Sequence, residues 1–183
     1  MKTKSRNKSN TIIYTDKEIF ESSINRILSK ENGSTVIIPH VCNNVNTFGA
    51  GFANAVAKKF PIVKENFHLL TQPNLGQNQF ISVLQDKQYG HELFIVNMIA
   101  QNGLFGPNNP RPLNYAALTF CMHDIKNRAK KIKNKLENSC VEIHAPKFGS
   151  GLAGGEWKFI SEIINDLWLG IPVYVYELSH RKN

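Results

Sequence analysis

Apolar residues follow two different spacings along the chain, and these predict strands interleaved with helices. Continuous aliphatic or β-branched runs are typical of buried strands, whereas apolar positions about 3.6 residues apart are typical of helices packed on a core. Strands are predicted over 10–15, 35–42, 80–84, 93–99, 140–145 and 172–178. Helices are predicted after Asp16, over 52–60, after Pro61, over 113–136 and over 156–169. This alternation predicts an α/β domain with three layers, α/β/α.

Length and composition indicate one domain. The 183 residues, of which 42% are hydrophobic, suffice for a single core. We expect the domain to span 10–178, with a basic flexible tail over 1–9 and a short tail over 179–183. The apolar runs are far shorter than the ~20 residues of a membrane span, and the basic N-terminus lacks the apolar segment of a signal peptide. We therefore expect a cytoplasmic monomer without membrane attachment.

The cysteines and the charge narrow the class of protein further. Cys42, Cys121 and Cys140 are widely spaced and odd in number, which predicts reduced thiols and argues against structural zinc. No Asp, Glu or His cluster has metal-ligand spacing, so no metal is predicted. The net charge of +8 suggests nucleic acid as an alternative partner, but the positive charge is concentrated at both ends of the chain and along one predicted helix at 126–135. Aromatic residues do not interleave with them, so a solvated helix face is the simpler interpretation.

Two glycine-rich turns each follow a predicted strand and precede a helix. They consist of Thr47, Phe48, Gly49, Ala50, Gly51 and Phe52, and of Gly149, Ser150, Gly151, Leu152 and Ala153. Glycine lets the backbone approach an anion, and the N–H groups at a helix start point toward it. Together the turns predict a diphosphate held from both sides; turns that serve only the fold are the alternative. A dinucleotide-binding fold is disfavoured, because only one strand follows the second turn.

Several segments carry a resemblance to a known family. In chain order they are IIYTD (12–16), HVCN (40–43) with GAGFANAVAKKFP (49–61), IVNMIAQ (95–101), LNYAAL (113–118), HAPKFGSGLAGGEW (144–157) and VYVYEL (173–178). With them the chain resembles the macro domain, an ADP-ribose-binding module. The similarity is to the branch with the yeast ADP-ribose-1''-phosphate phosphatase, the terminal ADP-ribose protein glycohydrolase and a chromatin-remodeller module. It implies a central mixed sheet of about six strands, ADP-ribose as the ligand and no cofactor.

The resemblance also implies roles for single residues. Asp16 takes the place of an aspartate that accepts a hydrogen bond from the adenine amino group; the alternative is that it caps the following helix. Tyr176 lies near the adenine pocket, or is a core tyrosine in an edge strand. Asn43 and Gln101 lie at distal-ribose positions, and an ordinary strand-end asparagine is the alternative for Asn43.

The sequence leaves two functions open. His40 matches a histidine of the phosphatase that could activate water or accept the phosphoryl group; the alternative is a core histidine in a buried strand. Gln101 and Ala153 replace the lysine and aspartate of the glycohydrolase, which disfavours removal of ADP-ribose from protein. The leading hypothesis is hydrolysis of the distal phosphate of ADP-ribose-1''-phosphate. Its rival is a non-catalytic reader of ADP-ribose or of ADP-ribosylated protein.

Overall fold

The computed structural model describes residues 12–29, 33–135 and 140–177. The helices and strands in these residues are β1 (Ile12–Thr15), α1 (Ile19–Leu28), β2 (Ser34–Asn43), α2 (Phe52–Lys59), α3 (Pro61–His68), β3 (Asn78–Asp86), β4 (His91–Gln101), α4 (Tyr115–Lys135), β5 (Cys140–Pro146), α5 (Trp157–Leu167) and β6 (Val173–Tyr176). Each predicted strand and helix has a counterpart among them. The predicted tails over 1–9 and 179–183 lie outside the described residues.

The strands form one mixed sheet in the order β1-β6-β5-β2-β4-β3. All neighbouring pairs are parallel except β3 and β4, which are antiparallel. Nearly every residue of β2 and of β4 is buried, as expected for continuous apolar runs covered on both faces. The mixed six-stranded sheet is therefore confirmed. β6 lies between β1 and β5, so the expectation of an edge strand around Tyr176 is wrong.

Helices cover both faces of the sheet. On one face, Phe20 of α1, Val56 of α2 and Phe67 of α3 join a core cluster with β2 and β4. On the other face, α4 and α5 contribute Met122 and Ile164 to a second cluster. The three-layer architecture is confirmed. None of the helices within the described ranges combines the length and the apolar character that a bilayer crossing requires.

Candidate functional site

A crevice opens where β2 and β5 stop pairing. Their parallel ladder ends at Ile37 and Ile143, although both strands continue beyond these residues. From there β2 stays paired with β4 as far as Asn43, while β5 stays paired with β6 as far as Pro146. The strand ends therefore separate at the carboxyl edge of the sheet, which is where open α/β sheets bind ligands.

The two glycine-rich turns converge on this crevice. The first loop, 47–52, follows β2, and the second loop, 149–153, follows β5. A Cβ placed on Gly51 would lie 3.7 Å from Leu152 Cδ1, so the two loops are in contact. Gly51 itself has a φ of 54°, a left-handed conformation that favours glycine. The loops thus lie on one side of the molecule, as a shared diphosphate requires.

Both loops carry backbone N–H groups without acceptors. Among the described residues, no oxygen accepts a hydrogen bond from the N–H groups of residues 48–52 or of residues 150–153. The second loop is closed from within, because Gly154 N–H donates to Gly151 O at 2.9 Å and Gly155 N–H donates to Gly149 O at 2.8 Å. Backbone N–H groups are strong donors that normally find partners. Two rows of such free donors at one crevice can bind an anion.

Glycine is present in and just after the second loop for different physical reasons. A Cβ on Gly155 would overlap Leu113 Cδ2 and Gly149 O, so packing requires glycine there. At Gly151 a Cβ would meet nothing within 4 Å, and its φ lies outside the left-handed region. Neither the backbone nor the packing of the protein therefore demands glycine at position 151. Glycine at this position leaves room for a ligand to approach the backbone closely.

Asn43 organises the first loop. Its Oδ1 accepts from the N–H groups of Val45 and Thr47, both at 3.1 Å, and its Nδ2 donates to Thr47 O at 2.6 Å. These bonds favour the strand-end interpretation, and the contact with the distal ribose stays a prediction. Gln101 pairs with Asn43 across β2 and β4, and its Nε2 donates to Gly103 O at 3.2 Å.

His40 lies in the core beneath the first loop. It is 2% exposed, and its ring makes edge contacts with Phe48 and Phe52, each with a centroid distance of 5.7 Å. Its Nε2 donates to Asn97 Oδ1 at 2.6 Å, because the Nδ2 of that amide is used as a donor to Gln79 Oε1. This placement favours the core interpretation and gives the predicted catalytic role no support.

The burial of His40 should make stability depend on pH. Burial lowers the pKa of His40 to about 4, from 6.5 for the exposed group. The unfolded chain therefore gains a proton as the pH falls through 6.5, whereas the folded protein does not until about pH 4. We expect His40 to remove about 2.5 kcal/mol from the free energy of unfolding between pH 7.5 and pH 4.5, measured by urea denaturation.

The variant His40→Gln provides the comparison, because a glutamine amide does not titrate. Its free energy of unfolding should fall less than that of the wild type over the same pH interval, whatever its absolute stability. Equal losses in the two proteins would show that His40 is not the group responsible.

Asp16 lies at the same edge of the sheet, directly after β1. It is exposed, and no described residue donates a hydrogen bond to its carboxylate. The N-cap of α1 is Glu18, whose carboxylate accepts from Glu21 N–H at 2.6 Å, so the capping alternative for Asp16 is wrong. Tyr176 is 9% exposed, and its hydroxyl lies 2.9 Å from His144 Nδ1. That favours the core interpretation of Tyr176, and its adenine contact stays a prediction.

Two features of this edge were not predicted from the sequence. Lys147, after β5, forms an ion pair with Glu177, after β6, and this pair lies between Asp16 and the second loop. His68, at the end of α3, lies beside the chain that leads into the first loop, with its Nδ1 2.8 Å from Asn46 Oδ1. No described residue forms a hydrogen bond with His68 Nε2. Both contacts depend on tertiary structure, so no local pattern marks them.

Comparison with solved structures identifies the class of protein. A macrodomain protein from Streptomyces coelicolor matches with a TM-score of 0.62 and 26% identity, over 91% of this chain and 98% of that one. A Bacteroides thetaiotaomicron protein of unknown function matches with a TM-score of 0.69 and 26% identity, over 91% and 98%. The DarTG protein of Thermosipho africanus, in complex with ADP-ribose, has the same fold, with a TM-score of 0.63 and 18% identity over 97% and 44%. This chain has the macrodomain fold.

Two proteins are similar to it in sequence. An uncharacterized 17.5 kDa protein from the tk-vs intergenic region of Enterobacteria phage T4 is 30% identical over 132 residues, which cover 70% of this chain and 77% of that protein. An ADP-ribose 1''-phosphate phosphatase from Lodderomyces elongisporus is 20% identical over 153 residues, which cover 81% and 92%. No protein-family model matches the chain.

Proposed function

We propose that this macrodomain binds ADP-ribose, with the diphosphate between the first and second loops. The observation that carries the proposal is the two rows of backbone N–H groups that have no acceptor in the described part of the chain and that meet at one crevice. Donors on both sides suit a diphosphate, which has acceptor oxygens on each phosphorus and spreads its charge over them. The Thermosipho protein, which shares this fold over 44% of its chain, forms a complex with ADP-ribose, and this supports the choice of ligand.

The proposed positions of the two ends of the ligand are based on the residues beside the loops. We assign the adenine to the β1 side, because the Asp16 carboxylate, to which no described residue donates, can accept from an exocyclic amino group. The distal ribose is then assigned to the other side, near Asn43 and Gln101 at the ends of β2 and β4. This orientation is a hypothesis, and Asp16→Ala tests its adenine end.

Binding without catalysis is the function that the geometry supports best. His40 is buried against Phe48 and Phe52, and Ala153 offers no proton donor or acceptor. The side chains at the predicted catalytic positions therefore supply no acid or base at the crevice. A reader of ADP-ribose or of ADP-ribosylated protein needs none.

Hydrolysis of ADP-ribose-1''-phosphate is the second candidate. The exposed imidazole of His68, next to Asn46, supports it, since an imidazole can take a proton from an attacking water molecule. The similarity to the Lodderomyces phosphatase points in the same direction.

Two measurements on the wild-type protein separate these functions. Calorimetry with ADP-ribose tests binding, and phosphate release from ADP-ribose-1''-phosphate tests hydrolysis. We expect saturable binding of ADP-ribose, and no phosphate release above the uncatalysed rate if the protein is a reader. Release that scales with protein concentration would establish the second candidate. A chain that binds neither compound would overturn the proposal.

Replacing Asp16 with alanine should weaken ADP-ribose binding and leave the fold intact. A hydrogen bond to a charged acceptor contributes about 1.5–3 kcal/mol, which corresponds to a loss of roughly tenfold to a hundredfold in affinity. Stability should be unchanged, because Asp16 is exposed and caps no helix. Calorimetry and thermal unfolding of the same preparation measure both effects.

Glu18→Ala is the matched control, since it removes a neighbouring carboxylate. It should lower stability by about 1 kcal/mol through the lost N-cap and leave the affinity for ADP-ribose unchanged. If Asp16→Ala binds as tightly as the wild type, Asp16 does not contact the adenine.

A further inference from the structure

A polar hollow of about 540 Å³ lies between the end of β4 and the start of α4. Asn102, Arg111 and Asn114 line it, and none of its lining residues in the described part of the chain is acidic. Its wall is joined to the second loop, because Leu113 N–H donates to Ala153 O at 3.0 Å. The hollow is therefore next to the candidate ADP-ribose site but is made by different residues.

The amide of Asn102 has a fixed orientation. Asn44 Oδ1 accepts from Gly103 N–H at 2.8 Å, and a backbone N–H can only donate. The Nδ2 of Asn44 must then be the group that donates to Asn102 Oδ1 at 3.1 Å. This leaves the Nδ2 of Asn102 as a donor with no acceptor among the described residues.

Asn114 and Arg111 leave further donors at the hollow. Asn114 Oδ1 accepts from Ala117 N–H at 2.9 Å, so its Nδ2 has no acceptor among the described residues. The guanidinium of Arg111 is held by one bond, from Nη1 to Leu113 O at 3.1 Å, and lies over the Tyr115 ring at 5.2 Å. A guanidinium has five N–H groups, so most of them stay available. The hollow thus has several N–H donors without acceptors among the described residues, and one positive charge, on Arg111, which a hydrogen bond holds in place.

We propose that this hollow binds a phosphate group distinct from the diphosphate between the two loops. Phosphate offers several acceptor oxygens and negative charge, and an arginine guanidinium matches it with parallel N–H donors. The group could be free inorganic phosphate or a phosphate carried at the distal end of the bound nucleotide, because Asn102, which lines the hollow, directly follows Gln101 in the chain. The second source rests on the proposed function, and the first does not.

A titration with inorganic phosphate tests the hollow directly. The ¹⁵N-labelled full chain is followed by NMR at constant ionic strength, with chloride as the reference anion. Saturable shifts are expected for the side-chain amides of Asn102 and Asn114. Arg111→Gln should weaken this binding by tenfold or more, on the order expected for a lost charged hydrogen bond. Lys130→Gln, which removes an equal charge from an exposed position of α4, should leave it unchanged.

Calorimetry with ADP-ribose and ADP-ribose-1''-phosphate then distinguishes the sources. If the wild type prefers the phosphorylated compound and Arg111→Gln loses only that preference, the nucleotide carries the phosphate. If both compounds bind equally and the phosphate shifts persist with ADP-ribose bound, the ligand is free phosphate. The inference would be overturned if the wild type showed neither phosphate-dependent shifts nor a preference for the phosphorylated compound. It would also be overturned if Arg111→Gln matched the wild type in both measurements. The affinity for ADP-ribose alone reports on the proposed function separately.

Discussion

Replacing Gly151 with glutamate should abolish detectable ADP-ribose binding and leave the fold intact. The position tolerates a side chain, since a Cβ there meets nothing within 4 Å and the φ is not left-handed. The new carboxylate would lie where the diphosphate is proposed to bind. Two like charges about 4 Å apart repel by roughly 4 kcal/mol at an effective dielectric constant near 20. A hundredfold loss of affinity needs only about 2.7 kcal/mol.

Two control variants separate charge at the site from other effects. Gly151→Ala adds a methyl group without charge and should keep the affinity within a few-fold. Gly106→Glu places the same side chain on a glycine that also has open space around it, and should bind ADP-ribose normally. Calorimetry gives the affinities, and thermal unfolding shows whether each variant is folded. Wild-type affinity in Gly151→Glu would exclude the second loop from the diphosphate site.

The fold could be predicted because its elements have local signatures. β2 and β4 are buried on both faces, so their sequences are almost continuously apolar, and the amphipathic helices show their own spacing. Strand order has no such signature. β6 pairs with β1 through contacts such as Ile12 with Val173, from opposite ends of the chain. Local periodicity cannot show that pairing, which is why the core interpretation of Tyr176 placed its strand wrongly at the edge of the sheet.

The candidate site likewise has parts that could be predicted from the sequence and parts that could not. The two loops could be predicted, because glycines after strands are visible in sequence and their conformational freedom is an intrinsic property. The side chains around them could not, because their roles depend on distant partners. His40 is hydrogen-bonded to Asn97, 57 residues away in the sequence. The side chain of Asn43 is hydrogen-bonded to the backbone of the first loop. A residue type that suits catalysis therefore says little until its neighbours are known.

Replacing Arg26 with methionine should cause a large loss of stability. Arg26 of α1 donates to both carboxylate oxygens of Glu142 in β5, at 2.9 and 2.7 Å, and the Glu142 side chain is only 2% exposed. Burial raises the pKa of Glu142, but the hydrogen bonds from His144, Arg26 and Cys140 outweigh it and hold this pKa well below its usual range. Methionine would fill similar space but leave a buried carboxylate without its cation. The free energy of unfolding at pH 7 should fall by about 2–4 kcal/mol, since Arg26 is partly exposed and water can replace some of the contact.

The dependence of this loss on pH identifies its cause. A depressed pKa stabilises the folded state above the pKa of the unfolded carboxyl, about 4.3, and this contribution disappears as the pH falls below it. The difference between the wild type and Arg26→Met in urea denaturation should therefore shrink below pH 4. Adding Glu142→Gln to Arg26→Met should restore part of the stability at pH 7, because no buried charge then remains. A loss that is constant with pH and not relieved by Glu142→Gln would mean that Arg26 acts through packing alone.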